Sequence, residues 1–229
     1  MTKRSSAMSE EIIKAAEEWA KACPSPITYG YPSYLFVGER GFVAASFGGT
    51  YCSDIFIAVE VGPVETCIYI GSGIGRGHVY HPIKGEISTG RWLVPRLCVP
   101  TRELVEGFRA FSNDLSYALL VFICDLCREG CWFLRTFSEY SWMPIEEFLA
   151  RDEEEKREYL NRCLNNFFYA LDFDRWRKRL LKAKWRVEPS IRAYPRALWF
   201  DTLKNLYSEG NAKAWLKFLL DVTMGEAHI

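Results

Sequence analysis

Two consecutive hairpin patterns constrain the first third of the chain more than any other feature. In YLFVGERGFVAASF, apolar runs at 34–37 and 41–47 flank a G-E-R-G turn. In IFIAVEVGPVETCIYI, runs at 55–59 and 67–70 flank a turn at Gly62-Pro63. Short apolar runs separated by turn residues pair with their neighbours in sequence, so these four segments commit the region to a sheet. Upstream, SEEIIKAAEEWAKA at 9–22 places Ile12, Ile13, Ala16 and Trp19 on one face with acids early, which predicts a helix capped by Ser9.

Residues 71–100 are rich in Gly and Pro and predict a connection ending in a strand near 92–94. Thr101 is placed to cap a helix through Phe111, because Leu104, Val105, Phe108 and Phe111 recur at helical spacing. The apolar runs 117–124 and 131–137 predict two further strands around D-L-C-R-E-G, followed by a short helix over 144–149. From 152 to 171 the pattern is helical, with Tyr159, Leu160, Leu164, Phe167, Phe168 and Leu171 in the apolar stripe, and a last helix is expected over 198–221. The chain therefore reads as an α/β domain over 1–149 and a helical basic domain over 150–229, and 229 residues at 49% hydrophobic content can fill both cores.

Zero formal charge argues against a global field that would attract a polyanion. The balance is uneven: residues 1–149 hold 13 basic and 17 acidic side chains, near −4, and 150–229 hold 16 and 12, near +4. No run approaches the length of a membrane span, and the opening MTKRSSAMSEEII turns acidic before any hydrophobic core. Cytoplasmic residence with no membrane contact is the expectation.

The strongest charge signal is RWRKRLLKAKWRVEPSIRAYPR at 175–196, nine Arg or Lys against one acid. Arg175, Arg177, Lys178, Arg179, Lys182, Lys184 and Arg186 recur around one expected helix, with Trp176 and Trp185 as its anchors, or simply as core. Such a surface can face phosphate, meet a protein, or be a solvated face neutralised by the acids at 152–155.

GSGIGRG at 71–77 holds Arg76 where a dinucleotide loop needs its third glycine, and Pro82 and Gly85 break the helix that should follow, so it reads as a connector whose Arg76 can touch phosphate. Cys124, Cys127 and Cys131 form C-x2-C-x3-C, which can ligate zinc or an iron–sulfur cluster if Cys98 or Cys163 completes the set, can form a disulfide, or can be structural thiols. His78 and His81 read as surface imidazoles.

The order helix, two strands, Asp-bearing hairpin, glycine-rich connection, helix and two further strands resembles the PD-(D/E)XK nuclease superfamily, particularly archaeal Holliday-junction resolvases and RecB-like nucleases. TRELVEGFRAF, YALLVFIC and GCWFLRTF at 101–137 carry the likeness. It implies a mixed central sheet of restriction-endonuclease-like type with a C-terminal helical extension. It also implies Mg or Mn at Asp54, with Glu60 and Lys84 as the remaining catalytic candidates. The positions where that family holds its downstream ligands are Tyr69 and Gly71 here, so the resemblance points to a degenerate site. Some RecB-like archaeal proteins with incomplete sites bind proteins such as the TATA-binding protein, and this layout is similar.

The sequence thus predicts a non-catalytic nucleic-acid-associated protein with no cofactor. The alternatives are a protein-interaction module for a transcription or repair factor or a second copy of itself, and a divalent-metal-dependent DNA nuclease with a rearranged site.

Overall fold

A computed structural model describes residues 3–22, 34–46, 55–72, 90–137, 143–171 and 173–194. Helix α1 (Lys3–Ala22) precedes five strands, β1 (Tyr34–Gly38), β2 (Gly41–Ser46), β3 (Ile55–Val61), β4 (Glu65–Ser72) and β5 (Gly90–Pro100). Helices α2 (Thr101–Phe111) and α3 (Leu115–Phe137) follow, then the two-residue β6 (Met143–Pro144), α4 (Ile145–Ala150) and α5 (Glu153–Ala170). A π-helical turn, Phe173–Arg177, runs into the short α6 (Lys178–Leu180), and β7 (Arg186–Tyr194) returns to the sheet.

The chain has the expected α/β architecture at a coarse level, a sheet flanked by helices with a largely helical region after it. Every described pairing is antiparallel, so the described sheet is not mixed: β1 to β5 lie in sequence order, and β6 and β7 both pair with β5. The two hairpins stand where the turn residues put them. Gly62 is needed at its turn, because a Cβ there would lie 2.6 Å from the Glu65 carbonyl oxygen.

Alternation along the strands sends Ile57, Val59 and Val61 of β3, Ile68 and Ile70 of β4, and Leu97 and Val99 of β5 to the face that packs on the helices. The helices answer with Ile12, Ala16 and Trp19 from α1, and Leu104, Val105 and Phe108 from α2. From α3 come Leu119, Phe122, Ile123 and Leu126. At roughly 1.5–3 kcal/mol for each large side chain fully buried, this layer is the main source of stability. The opposite sheet face is also covered around its centre, where Ala58, Cys67, Tyr69 and Cys98 are buried.

The clearest departure from expectation is residues 115–137. The runs at 117–124 and 131–137 are not strands but parts of one 23-residue helix, α3. Ala118, Leu119, Phe122, Ile123 and Leu126 are buried at helical spacing, and nothing in D-L-C-R-E-G stops the helix. The segment that carried the nuclease likeness is therefore helix followed by helix.

Three smaller corrections follow the same logic. Helix α1 begins at Lys3, so Ser9 lies inside it and not at its cap. Thr101 is the first residue of α2 and not its cap; its hydroxyl donates to the Gly62 carbonyl at 2.7 Å and accepts from the Thr66 hydroxyl at 2.9 Å. The basic helix expected over 175–186 ends at Leu180, and Arg186 already belongs to β7. By contrast, α5 starts as expected, with Asp152 and Glu155 forming a reciprocal capping box.

Residues on both sides of the expected boundary at 149/150 share one sheet and one core. β7 pairs with β5 along Gly90–Cys98, and Trp176 and Leu180 are fully buried in the cluster that contains α2 and α3. Gly107 permits the approach of α6 to α2, since a Cβ there would lie 2.5 Å from Leu180 Cδ2. No single helix among the described residues is long and apolar enough to cross a membrane; α2 and the first part of α3 pass together by composition but are bent 98° apart. The helix expected over 198–221 lies outside the described residues.

Candidate functional site

The basic segment meets acids of its own chain. Arg175 lies 3.2 Å from the buried Asp125, and Lys178 lies 3.2 Å from Asp174. Arg179 donates to the carbonyl oxygens of Ala110 and Arg175 and sits 5.3 Å over the Phe111 ring. Arg186 is bound by both Glu65 and Glu188. Arg177 is half-buried, whereas Lys182 and Lys184 are exposed, and Lys184 offers its backbone N–H to Glu103 at 2.5 Å. Arg76 lies outside the described residues, as do Asp54 and Lys84. Trp176 is core, as its apolar spacing allowed.

Glu60 is the one described member of the expected catalytic set, and it belongs to an ion network. Arg40 reaches it at 2.8 Å, the Tyr69 hydroxyl donates to it at 3.3 Å, and Arg96 lies 3.7 Å away. Arg96 also grips Glu188 at 2.6 Å. Burial opposes charge on Arg96, but its bonds to Tyr69 and Glu188 outweigh that and raise its pKa further. Burial would likewise raise Glu188, yet hydrogen bonds and charge from Arg96 and Arg186 hold it below its ordinary value. Tyr69, at a position where the nuclease family keeps a ligand, is a buried phenol in this network.

A disulfide lies at the centre of this network. Glu60, Cys67, Cys98 and Arg186 are in register across β3, β4, β5 and β7, so one row of the sheet holds an acid, two sulfurs and a base. Cys67 and Cys98 are bonded across neighbouring strands with Cα atoms 4.1 Å apart. Period two along β4 brings Glu65 to the same face. Glu65, Cys67 and Cys98 thereby place one carboxylate oxygen and two sulfurs within 4.8 Å of one another, a donor set that can hold a metal ion once the disulfide is reduced. Glu188 adds a carboxylate oxygen 4.0 Å from the Cys98 sulfur.

The cysteines singled out by their spacing are elsewhere. Cys124 and Cys127 are buried thiols on α3, and Cys163 is a buried thiol on α5, none of them in a disulfide. Burial pushes the Cys127 and Cys163 thiols far up, which keeps them protonated. Cys98 does not complete their set, because it is bonded to Cys67 on the face opposite Leu97 and Val99. The Cys131 side chain lies outside the described residues.

A groove of about 510 Å³ opens between α4, α5 and the start of β7. Phe148, Leu160, Leu164, Trp185 and Val187 give it apolar walls, and Lys156, Arg157 and Arg186 stand among its polar groups. Trp185 is fixed there by its N–H to the Leu180 carbonyl at 2.9 Å and by the Phe167 ring at 4.8 Å.

Sequence reasoning did not find the Cys67–Cys98 pair or the groove. The signal for the first was present: Glu65, Cys67 and Tyr69 alternate on one strand. Its partner was hidden because β5 extends to Pro100, well beyond the strand expected near 92–94. No protein-family model, no curated protein and no solved structure matches this chain significantly.

Proposed function

We propose that this chain is a non-catalytic binding protein whose partner is another protein, met at the groove between α5 and β7. The observation that carries this reading is the internal pairing of the basic segment. Arg175, Lys178 and Arg186 face Asp125, Asp174, and Glu65 with Glu188, and Arg179 is occupied by carbonyls and the Phe111 ring. A phosphate would have to compete with those acids for Arg175, Lys178 and Arg186. The groove offers what a protein segment needs, an apolar wall around Trp185 with charges at its edge.

A nucleic-acid-associated role on a nuclease-like scaffold is the competing proposal, and salt dependence separates the two. Lys182 and Lys184 alone would give a log-affinity against log-salt slope of about −1.8 on duplex DNA, whereas all eight candidate cations would give about −7. Titration of the full chain with duplex DNA and with single-stranded RNA is expected to give a slope no steeper than about −2. A slope of about −5 or steeper would overturn the protein-partner reading. A nuclease would further require Glu60 to leave Arg40 and Arg96 for a metal. Hydrolysis of DNA in Mg²⁺ or Mn²⁺ that is lost in Glu60→Gln would establish that role instead.

A further inference from the structure

We propose that reduction of the Cys67–Cys98 disulfide converts this part of the sheet into a zinc site, with Glu65, Cys67 and Cys98 as its protein ligands. Two of the donors lie opposite one another on β4 and β5, which the sheet ladder holds in register, so reduction leaves the two thiols on neighbouring strands with Cα atoms 4.1 Å apart and Glu65 beside them. Their ligand atoms lie within 4.8 Å of one another. Two sulfurs and one carboxylate oxygen suit a tetrahedral Zn²⁺, with Glu188 or a water in the fourth position. Cys98 is fully buried and Cys67 nearly so, while the Glu65 side chain is 28% exposed. The ion therefore enters from the Glu65 side.

Charge supports the exchange. Around the cystine, the carboxylates of Glu60, Glu65 and Glu188 are balanced by the guanidiniums of Arg40, Arg96 and Arg186. Two buried thiolates would leave that balance two charges negative, and one divalent ion restores it. The chemistry has two steps. A dithiol reductant passes two electrons and two protons to the Cys67–Cys98 bond, which breaks to two thiols as the reductant closes its own disulfide. Zn²⁺ then displaces the two thiol protons to solvent and takes one Glu65 oxygen from Arg186.

The test uses the full chain, oxidised or reduced with a phosphine that adds no competing thiol, and Zn²⁺ or Co²⁺ as the probe. Reduced protein is expected to take one ion from a chromogenic chelator and, with Co²⁺, to show a thiolate-to-cobalt charge-transfer band; oxidised protein should do neither. Glu65→Gln, which leaves both sulfurs in place, should still form the disulfide but bind Zn²⁺ at least about tenfold more weakly. Zn²⁺ should also shield Cys67 and Cys98 from alkylation, read by peptide mapping. That measurement needs no cysteine variant and separates this site from the thiols of α3 and α5. No uptake by the reduced chain, unchanged affinity in Glu65→Gln, or protection of other cysteines in place of these two would each overturn the proposal.

Discussion

The indole N–H of Trp176 donates a 2.8 Å hydrogen bond to Asp125 across 51 residues of sequence, and both partners are buried. Asp125 is a carboxylate in the middle of the apolar helix α3, and Arg175 also reaches it at 3.2 Å. These bonds offset the cost of burying its charge. They also seat the Trp176 ring against Phe108, Phe111 and Phe122, at centroid distances of 5.8, 4.4 and 5.3 Å. Trp176→Phe keeps most of the ring contacts and removes the N–H, and should cost about 1–3 kcal/mol in urea unfolding. Trp176→Ala also opens a cavity and should cost about 3–5 kcal/mol. Equal losses in the two variants would mean that the hydrogen bond contributes nothing separate from packing.

Gly62 gives a backbone prediction. Its N–H donates to the Glu65 carbonyl at 2.9 Å, and a Cβ would meet that same oxygen at 2.6 Å. Gly62→Ala must open the β3–β4 turn, and the strain of about 1–3 kcal/mol outweighs the ~0.4–1 kcal/mol gained by restricting the unfolded chain. A lower denaturation midpoint is expected. A rise would show that the turn relaxes freely.

The same contrast, local against distant, explains what was legible in the sequence. The hairpins over β1 to β4 were readable because alternation and turn residues lie within a few positions of each other. The α5 start was readable because Asp152 and Glu155 cap each other three residues apart. Helix α3 was not, because Val121, Phe122 and Ile123 form a run as suited to a buried strand as to a buried helix. What settles it is burial at helical spacing, Ala118, Leu119, Phe122, Ile123 and Leu126, against elements that lie elsewhere in the sequence. β7 was hidden by Pro189, a residue that argues against a strand. In the sheet Pro189 sits opposite Pro95, so the two residues that cannot donate share one rung. Of the candidate site, the basic residues were visible as a charge run with Asp174 and Glu188 close by, but Asp125 and Glu65, which meet Arg175 and Arg186, lie on other elements and could not be matched to them by spacing.

Glu188 links the arginine network to pH. Arg96 and Arg186 hold its pKa below the ordinary value of 4.5, so the folded state favours the carboxylate more than the unfolded chain does. That contribution is fully present above the unfolded pKa and is lost as pH falls through the folded one. Thermal melts from neutral pH down to about pH 3 should show wild type losing stability in this acid window. Glu188→Gln should start less stable and lose less over the same window. Parallel pH profiles for the two proteins would remove Glu188 from the acid response.

The disulfide should be the largest single adjustable contribution in the sheet. Cys67 and Cys98 are 31 residues apart in sequence, and closing a loop of that size restricts the unfolded chain by about 3–4 kcal/mol. Reduction should therefore lower the urea midpoint, and the Cys67→Ser, Cys98→Ser double variant should sit near the reduced wild type and ignore reductant. Among the described residues Cys67–Cys98 is the one disulfide, so the reductant has no second described bond to break. Zinc then separates a purely structural crosslink from the site proposed above. An ion that binds only the folded, reduced protein adds about 2.7 kcal/mol at a hundred times its dissociation constant. It should raise the midpoint of reduced wild type, leave the oxidised protein unchanged, and have no effect on the double variant. A rise in the double variant would place the ion on other ligands, and no rise in any form would leave Cys67–Cys98 as a crosslink alone.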